Sequence, residues 1–325
     1  MIEQFRKVRF SSYKANLLKQ IIEIIDEYEK QKIKLTLRQL YYQLVSRDLI
    51  PNSQKEYSKL SNLVTRGRYG GLIDWDAIVD RHRTQKIHPQ FDSILDLIKA
   101  AKNSYRLDRW EGQDYYVELF TEKDALASIL NPIADKWHIY FCVNKGYSSA
   151  TAMYDTAKRI EEALNTPIGA DPNNADTKNK KAIILYLGDH DPSGLDMVRD
   201  IRERIVEFLI GDIINDDYKF ANSRKNYIEE KIEVIHIALT TEQVKKYRPP
   251  PNPAKMTDPR STHYVFEFGK TSWEVDALKP EIMIRLVDNA ISEYVDMNKM
   301  QKVIDKEKET IKPIEELASK LSKGD

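Results

Sequence analysis

Hydrophobic residues recur along this chain with two different periods, and the change from one to the other divides it. Over residues 11–31, Leu17, Leu18, Ile21, Ile22, Ile25 and Tyr28 fall at helical spacing and predict a long amphipathic helix with a solvated acidic end. Residues 32–35 read as a short strand or connector. Thr36 is then placed to cap a helix over 37–46, whose Leu37, Leu40, Tyr41, Leu44 and Val45 define one apolar face. Asn52 and Ser53 break the chain, and Ser53 with Glu56 makes a capping box for a third helix over about 56–66. Gly67, Gly70 and Gly71 follow, and residues 72–76 resume the apolar pattern as an extended segment. Helix, short strand, helix, turn, helix, Gly-rich turn and extended segment is the layout of a winged helix.

A further amphipathic helix over 94–105 leads into residues 102–112, which are mixed in charge, lack a clear period beyond that helix, and mark a domain boundary. From residue 115 the pattern changes. Strands predicted at 115–121, 138–143, 182–187 and 232–238 alternate with helices at 123–131, 149–165 and 193–210. That alternation predicts an α/β domain with a mainly parallel sheet. Residues 166–180 are a polar, Pro-containing insertion. Residues 248–260 hold too many prolines for a helix or a central strand. They read as an extended surface segment, either a ligand for a proline-reading domain or a cover over the sheet that carries Lys255 and Arg260 toward the cleft or DNA. A helix from Pro280 to about residue 300 and a Lys/Glu-rich helical tail interrupted by Pro313 complete a division into 1–110, 113–300 and 301–325.

Chemistry concentrates at two places in that pattern. The apolar run 182–187 ends in Gly188, Asp189, His190 and Asp191. If strand alternation continues, Asp189 and Asp191 point the same way, and with Glu122 at the end of strand 115–121 they offer carboxylate oxygens to one hard cation, Mg²⁺ or Mn²⁺. Sites in parallel sheets lie at the carboxyl ends of strands, where Glu122, the Lys145-Gly146 turn and the aspartate pair all fall. The alternative is plain turn and cap chemistry, since Asp-Pro-Ser-Gly suits both. Glu274 and Asp276 form another acidic pair, open to either reading: completing the metal shell or capping the helix after Pro280. The second place is the helix over 37–46. Helical phase puts Tyr41 inside and Tyr42 at the accessible edge of the apolar face, with Arg38 one turn before it, so that a guanidinium can favour the phenolate and hold a phosphate. The alternative is that both tyrosines belong to the core.

Composition narrows the function classes. The chain has 325 residues, of which 41% are hydrophobic and 31% charged, with formal net charge zero. The zero hides an asymmetry: residues 1–112 carry 21 Lys and Arg against 14 Asp and Glu, about +7, leaving about −7 for the rest. A basic module joined to an acidic one is expected where one half touches phosphate and the other holds cations. Arg66, Arg68, Arg81, Arg83 and Lys86 surround the expected wing, as phosphate contacts or as a solvated basic surface. No apolar run is long enough to cross a bilayer and the N-terminus has no apolar signal core, so a cytoplasmic location without membrane contact is expected, nucleoid-associated if the chain binds DNA. Cys142 stands alone, which excludes an internal disulfide and a cysteine metal cage.

The motifs share a resemblance. A glutamate at one strand end and an Asp-x-Asp at another resembles the Toprim domain. The segments EKDAL (122–126), NKGYSS (144–149), GDHDPSG (188–194) and RQLYY (38–42) resemble the A subunit of topoisomerase VI and the related meiotic double-strand-break transesterases. Gln39 stands where that family commonly has aspartate. The resemblance implies a winged-helix domain followed by a Toprim domain, with Tyr42 as nucleophile, Arg38 as its partner, and Glu122, also assigned a catalytic role, holding Mg²⁺ together with Asp189 and Asp191. It further implies double-stranded DNA as substrate, a 5′-phosphotyrosyl link, and a homodimer in which the tyrosine of one protomer works with the metal of the other. Arg66, Arg68, Arg81, Arg83, Lys145, Lys255 and Arg260 are then the expected DNA contacts. No P-loop occurs in the sequence, so an ATP-driven reaction would need a separate B-type ATPase subunit. Two rival readings are a metal-dependent Toprim nuclease and a non-catalytic DNA-binding module of a larger complex.

Overall fold

The computed structural model describes residues 2, 7–74, 77–79, 90–143, 150–165, 180–210, 218–254 and 258–322. The first module packs three helices around one core: α1 (Ser12–Lys30), then β1 (Leu35–Thr36) leading into α2 (Leu37–Ser46), then α3 (Gln54–Tyr69). Leu17, Leu18, Ile21, Ile24, Ile25 and Tyr28 form the buried stripe of α1. They meet Leu40, Leu44 and Val45 of α2 and Leu60, Leu63 and Val64 of α3. The entry to α2 is closed by a capping box, in which the Gln39 amide donates to Thr36 Oγ1 and the Thr36 amide donates to Gln39 Oε1. Ser53 caps α3 by accepting from the Glu56 amide, but the Glu56 carboxylate turns to Lys59 at 2.6 Å, so only half of the expected box forms. β2 (Ile78–Val79) pairs with β1 in a parallel two-residue ladder. Part of the segment expected to make the wing, residues 75–76 and 80–89, lies outside the described residues.

α4 (Ile94–Ser104) leads to the α/β part, whose described elements are β3 (Tyr115–Thr121), α5 (Ala127–Trp137), β4 (Tyr140–Val143), α6 (Ala150–Asn165), β5 (Lys181–Leu187), α7 (Pro192–Ile210), α8 (Tyr218–Lys231), β6 (Ile232–Ala238) and α9 (Thr241–Tyr247). The sheet is parallel throughout, with strand order β4-β3-β5-β6. The chain is therefore α/β, as its alternating pattern predicts. Period-two alternation distributes β5 over two cores. Ile183, Leu185 and Leu187 join Leu119, Ile129, Leu130 and Ile133 on one face, while Ala182, Ile184 and Tyr186 join Phe120, Met153, Met197 and Ile201 on the other. Each fully buried Leu or Ile here contributes roughly 1.5–3 kcal/mol, which makes β5 the stiffest support available to whatever sits at its end.

The remainder wraps this sheet: β7 (Pro251–Pro253), α10 (Ser261–Phe268), β8 (Thr271–Trp273), α11 (Pro280–Ser292) and α12 (Met297–Ser322). Three residues of the Pro-rich segment, Pro251–Pro253, form β7, an extended piece paired antiparallel with β8 in a separate two-stranded sheet, where missing amide donors are tolerated. Other boundaries move too: β4 starts two residues late and α3 extends at both ends. α5 runs through Pro132, since Ile133, Ala134 and Trp137 continue the buried stripe and outweigh the lost backbone bond. The helix expected to reach residue 300 stops at Ser292, and α12 starts at Met297, its first amides caught by Asp296. α12 then passes through Pro313 and packs along α4, with buried Glu307 accepting from the Leu107 amide and from Arg109. The tail is thus a docked helix. No helix among the described residues is long and apolar enough to cross a membrane.

One sheet residue makes stability depend on pH. Burial pushes His236 of β6 down to about 4, and among the described residues its Nε2 has no hydrogen-bond partner. An unfolded histidine titrates near 6.5, so between the two values the unfolded chain binds more protons and stability rises with pH. Urea unfolding of wild type is expected to lose about 3 kcal/mol from this residue as pH falls from about 6.5 to about 4. His236→Phe should flatten that part of the curve; an unchanged slope would refute the assignment.

Candidate functional site at the strand ends

α2 and the carboxyl ends of β3 and β5 meet at one polar cluster. The link from the first module is Arg38, whose Nε donates to Asp276 Oδ2 at 2.6 Å and whose Nη2 bonds Glu274. Glu274 and Asp276 flank and occupy a one-turn 3-10 helix at Val275–Ala277, and Ala277 packs into the core of the first module. Gln39 Nε2 adds a bond to the Ala125 carbonyl, and Asn52 reaches Asn252 at 2.8 Å. The helix carrying Tyr42 is therefore pinned against the sheet domain within a single chain.

Lys123 lies at the centre. Its ammonium is 2.8 Å from Asp189 Oδ2, 2.9 Å from Glu274 Oε2 and 3.2 Å from Asp276 Oδ1. Burial opposes its charge, but Asp276, Asp189 and Glu274 outweigh that and raise its pKa well above the ordinary lysine value. Asp189 accepts from the Val275 amide with its other oxygen. Burial raises the Asp189 pKa, with Lys123 opposing and Glu122, Asp276 and Glu274 adding to the rise. Glu274 goes the other way: burial would raise it, but Lys123 and Arg38 pull it below the usual carboxylate range.

The expected trio of Glu122, Asp189 and Asp191 lies around the buried Tyr186 hydroxyl, whose pKa is raised first by burial and then by all three carboxylates. β5 ends at Leu187, so strand alternation does not extend to the aspartates. Asp191 instead turns back and accepts from the Gly194 amide at 2.7 Å, as the N-cap of α7 with Pro192 at its first position. Gly194 is required there, since a Cβ would lie 2.1 Å from the Asp189 carbonyl oxygen. Glu122 Oε1 accepts from the Asp189 amide. Among the described residues no group of three or more His, Cys, Asp or Glu side chains is arranged to hold a metal ion. Carboxylate oxygens suit Mg²⁺ or Mn²⁺ chemically, but the point where Asp189, Glu274 and Asp276 converge is filled by Lys123. As arranged, these residues do not fit a resident ion.

Tyr42 also departs from expectation. It is 3% exposed rather than at an accessible edge, because docking of the 275–277 turn covers the side of α2 that an isolated module would leave open. Its hydroxyl is 3.5 Å from Arg38 Nη2. Burial comes first in raising its pKa, Asp276 and Glu274 add to this, and Arg38 only partly opposes them. The guanidinium still favours the phenolate, but burial and the two carboxylates outweigh it. Tyr41 packs inward as expected, edge-on to Tyr42 and Tyr57, with its hydroxyl on Asn52 Oδ1 at 2.8 Å.

Of the expected DNA contacts, Arg66, Arg68 and Arg260 lie among the described residues. Arg66 is exposed, stacks over Phe10 and donates to the Arg9 carbonyl. Arg68 donates to the Ile78 carbonyl and ties α3 to β2. Arg260 pairs with Asp258 and Asp196, away from the Lys123 cluster. Arg81, Arg83, Lys86, Lys145 and Lys255 lie outside the described residues, as does the NKGYSS motif. No protein-family model matches the chain, and no curated protein matches it. Sequence reasoning missed the central role of Lys123. Its signal was a cation inserted between Glu122 and Asp124 directly after an apolar strand, where a buried charge must find partners.

Proposed function

We propose that the chain is a DNA-strand transesterase resembling the topoisomerase VI A subunit, a winged-helix module joined to a Toprim domain, with Tyr42 as nucleophile. The observation that carries this reading is the placement of the Arg38–Tyr42 pair of α2 against Lys123 at the strand ends. The Tyr42 hydroxyl has Arg38 beside it, and Arg38 shares Glu274 and Asp276 with Lys123; cations that hold the non-bridging oxygens of a phosphodiester also stabilise the charge that develops on them. In that step the phenol proton leaves and the Tyr42 oxygen bonds to phosphorus. The bond to the 3′ oxygen breaks, and that oxygen takes up a proton. At rest Asp189, Glu274 and Asp276 hold both cations, so the incoming phosphate must replace carboxylates as their partner. A homodimer placing two such sites on a duplex, and a separate ATPase subunit if strands are passed, belong to the same proposal.

The burial and raised pKa of Tyr42 favour a second reading, a non-catalytic DNA-binding module. Incubating end-labelled supercoiled DNA with the protein, with and without Mg²⁺ or Mn²⁺, and resolving it on a denaturing gel separates the readings. A transesterase is expected to leave protein-linked ends that Tyr42→Phe abolishes while changing stability by no more than about 1 kcal/mol. Retarded but uncut DNA would support the module, and cut DNA without a protein adduct would support the nuclease.

A further inference from the structure

A cavity of about 710 Å³ opens at the amino ends of β3 and β4, at the opposite end of the sheet from the Lys123 cluster. Its size suits an organic ligand rather than a lone ion. Arg106, Arg109, Trp110, Tyr116, Tyr140 and Lys180 form its working walls. Two of the cations, Lys180 and Arg109, are set deeper than the acids. Lys180 is 4% exposed, and among the described residues its ammonium has one hydrogen bond, to the Trp110 carbonyl at 2.8 Å, and no carboxylate at ion-pair distance. Arg109 pairs with Glu307 through Nη2, but its buried Nε has no partner among the described residues. Arg106 stands exposed in the wall, and among the described residues it has no carboxylate at ion-pair distance. The acids lining the cavity, Asp108, Asp135 and Glu162, are all exposed to solvent.

Such an arrangement leaves buried donors that an anion can satisfy, and leaving them unsatisfied costs free energy. At His138, in the same wall, burial lowers the pKa first and Arg109 and Arg106 lower it further, with Glu307 and Asp135 opposing them. Beside the cations lies a planar surface. Tyr140 is 57% exposed, and Arg159 sits over its ring 4.6 Å from the centroid, itself anchored by Glu118. A flat aromatic group can stack on the remaining ring surface.

We propose that this cavity binds a nucleoside phosphate, with the phosphates on Lys180, Arg109 and Arg106 and the base against Tyr140. The site is independent of the strand-transfer reading and can be tested on protein that cuts nothing. Calorimetric titration of the full chain with ADP is expected to saturate at one site below ~1 mM. Arg106→Glu and Lys180→Met should each weaken ADP by about tenfold or more, and Tyr140→Ala should weaken ADP while leaving inorganic pyrophosphate unchanged. Arg106 is exposed, so its variant tests the site even if the Lys180 variant fails to fold. Absence of saturation, wild-type affinity in the folded Arg106 variant, or preference for a 5′-phosphorylated oligonucleotide over ADP would overturn the assignment.

Discussion

Lys123→Met is expected to lower stability by ~3–5 kcal/mol, because it removes the cation from a buried cluster and leaves charge behind. Arg38 still holds Glu274 and Asp276, so the orphan is Asp189, which is buried and, among the described residues, keeps the Val275 amide as its fixed donor. Lysine's pKa is raised in the folded state, so its contribution is fully present below about pH 10 and lost as pH rises through the folded value. In the variant the deficit should shrink as pH falls and the orphaned carboxylate takes up a proton. Chemical unfolding across pH checks both signs. Adding Asp189→Asn to Lys123→Met should recover most of the loss. A double variant as unstable as the sum of its parents would show that Lys123 and Asp189 do not act as a pair.

A comparable loss, again ~3–5 kcal/mol, is expected for Arg159→Met. Glu118 sits in the middle of β3 with its side chain 0% exposed, held by Arg159 Nε at 2.8 Å and Nη2 at 2.9 Å, with the Tyr116 hydroxyl as a further donor. A carboxylate in a sheet interior persists only with such a fork. Replacing both partners, Glu118→Gln with Arg159→Met, should bring stability back to within about 1 kcal/mol of wild type, because a neutral amide can keep the tyrosine bond. If Arg159→Met alone melts like wild type, the pair contributes nothing to stability.

Much of this architecture was legible in the sequence. β3 and β6 fall at their predicted residues, β5 within one, and α1, α2, α6 and α7 within one at each end, because buried alternation and helical periodicity are local signals. Element ends were less legible where packing overrode propensity, as at Pro132, Pro313 and the β7 prolines. The site was legible as a set of residues near strand ends but not as an arrangement. Asp191 illustrates the difference: its type and place before Pro192 are equally good for a ligand and an N-cap, and only the Gly194 amide decided.

By itself the sequence determined the class: an α/β domain with a parallel sheet, preceded by a small helical module, with carboxylates delivered to strand ends. Those follow from periodicity, which each segment expresses alone. The tertiary structure decided which charges meet. Arg38 reaches residues more than 200 positions away in Glu274 and Asp276, and Lys123 reaches Asp189 and the same two acids. It also decided that Tyr42 is covered, since the turn that covers it comes from the far end of the chain. Pairing, burial and pKa depend on distances between elements, and no local pattern encodes those distances.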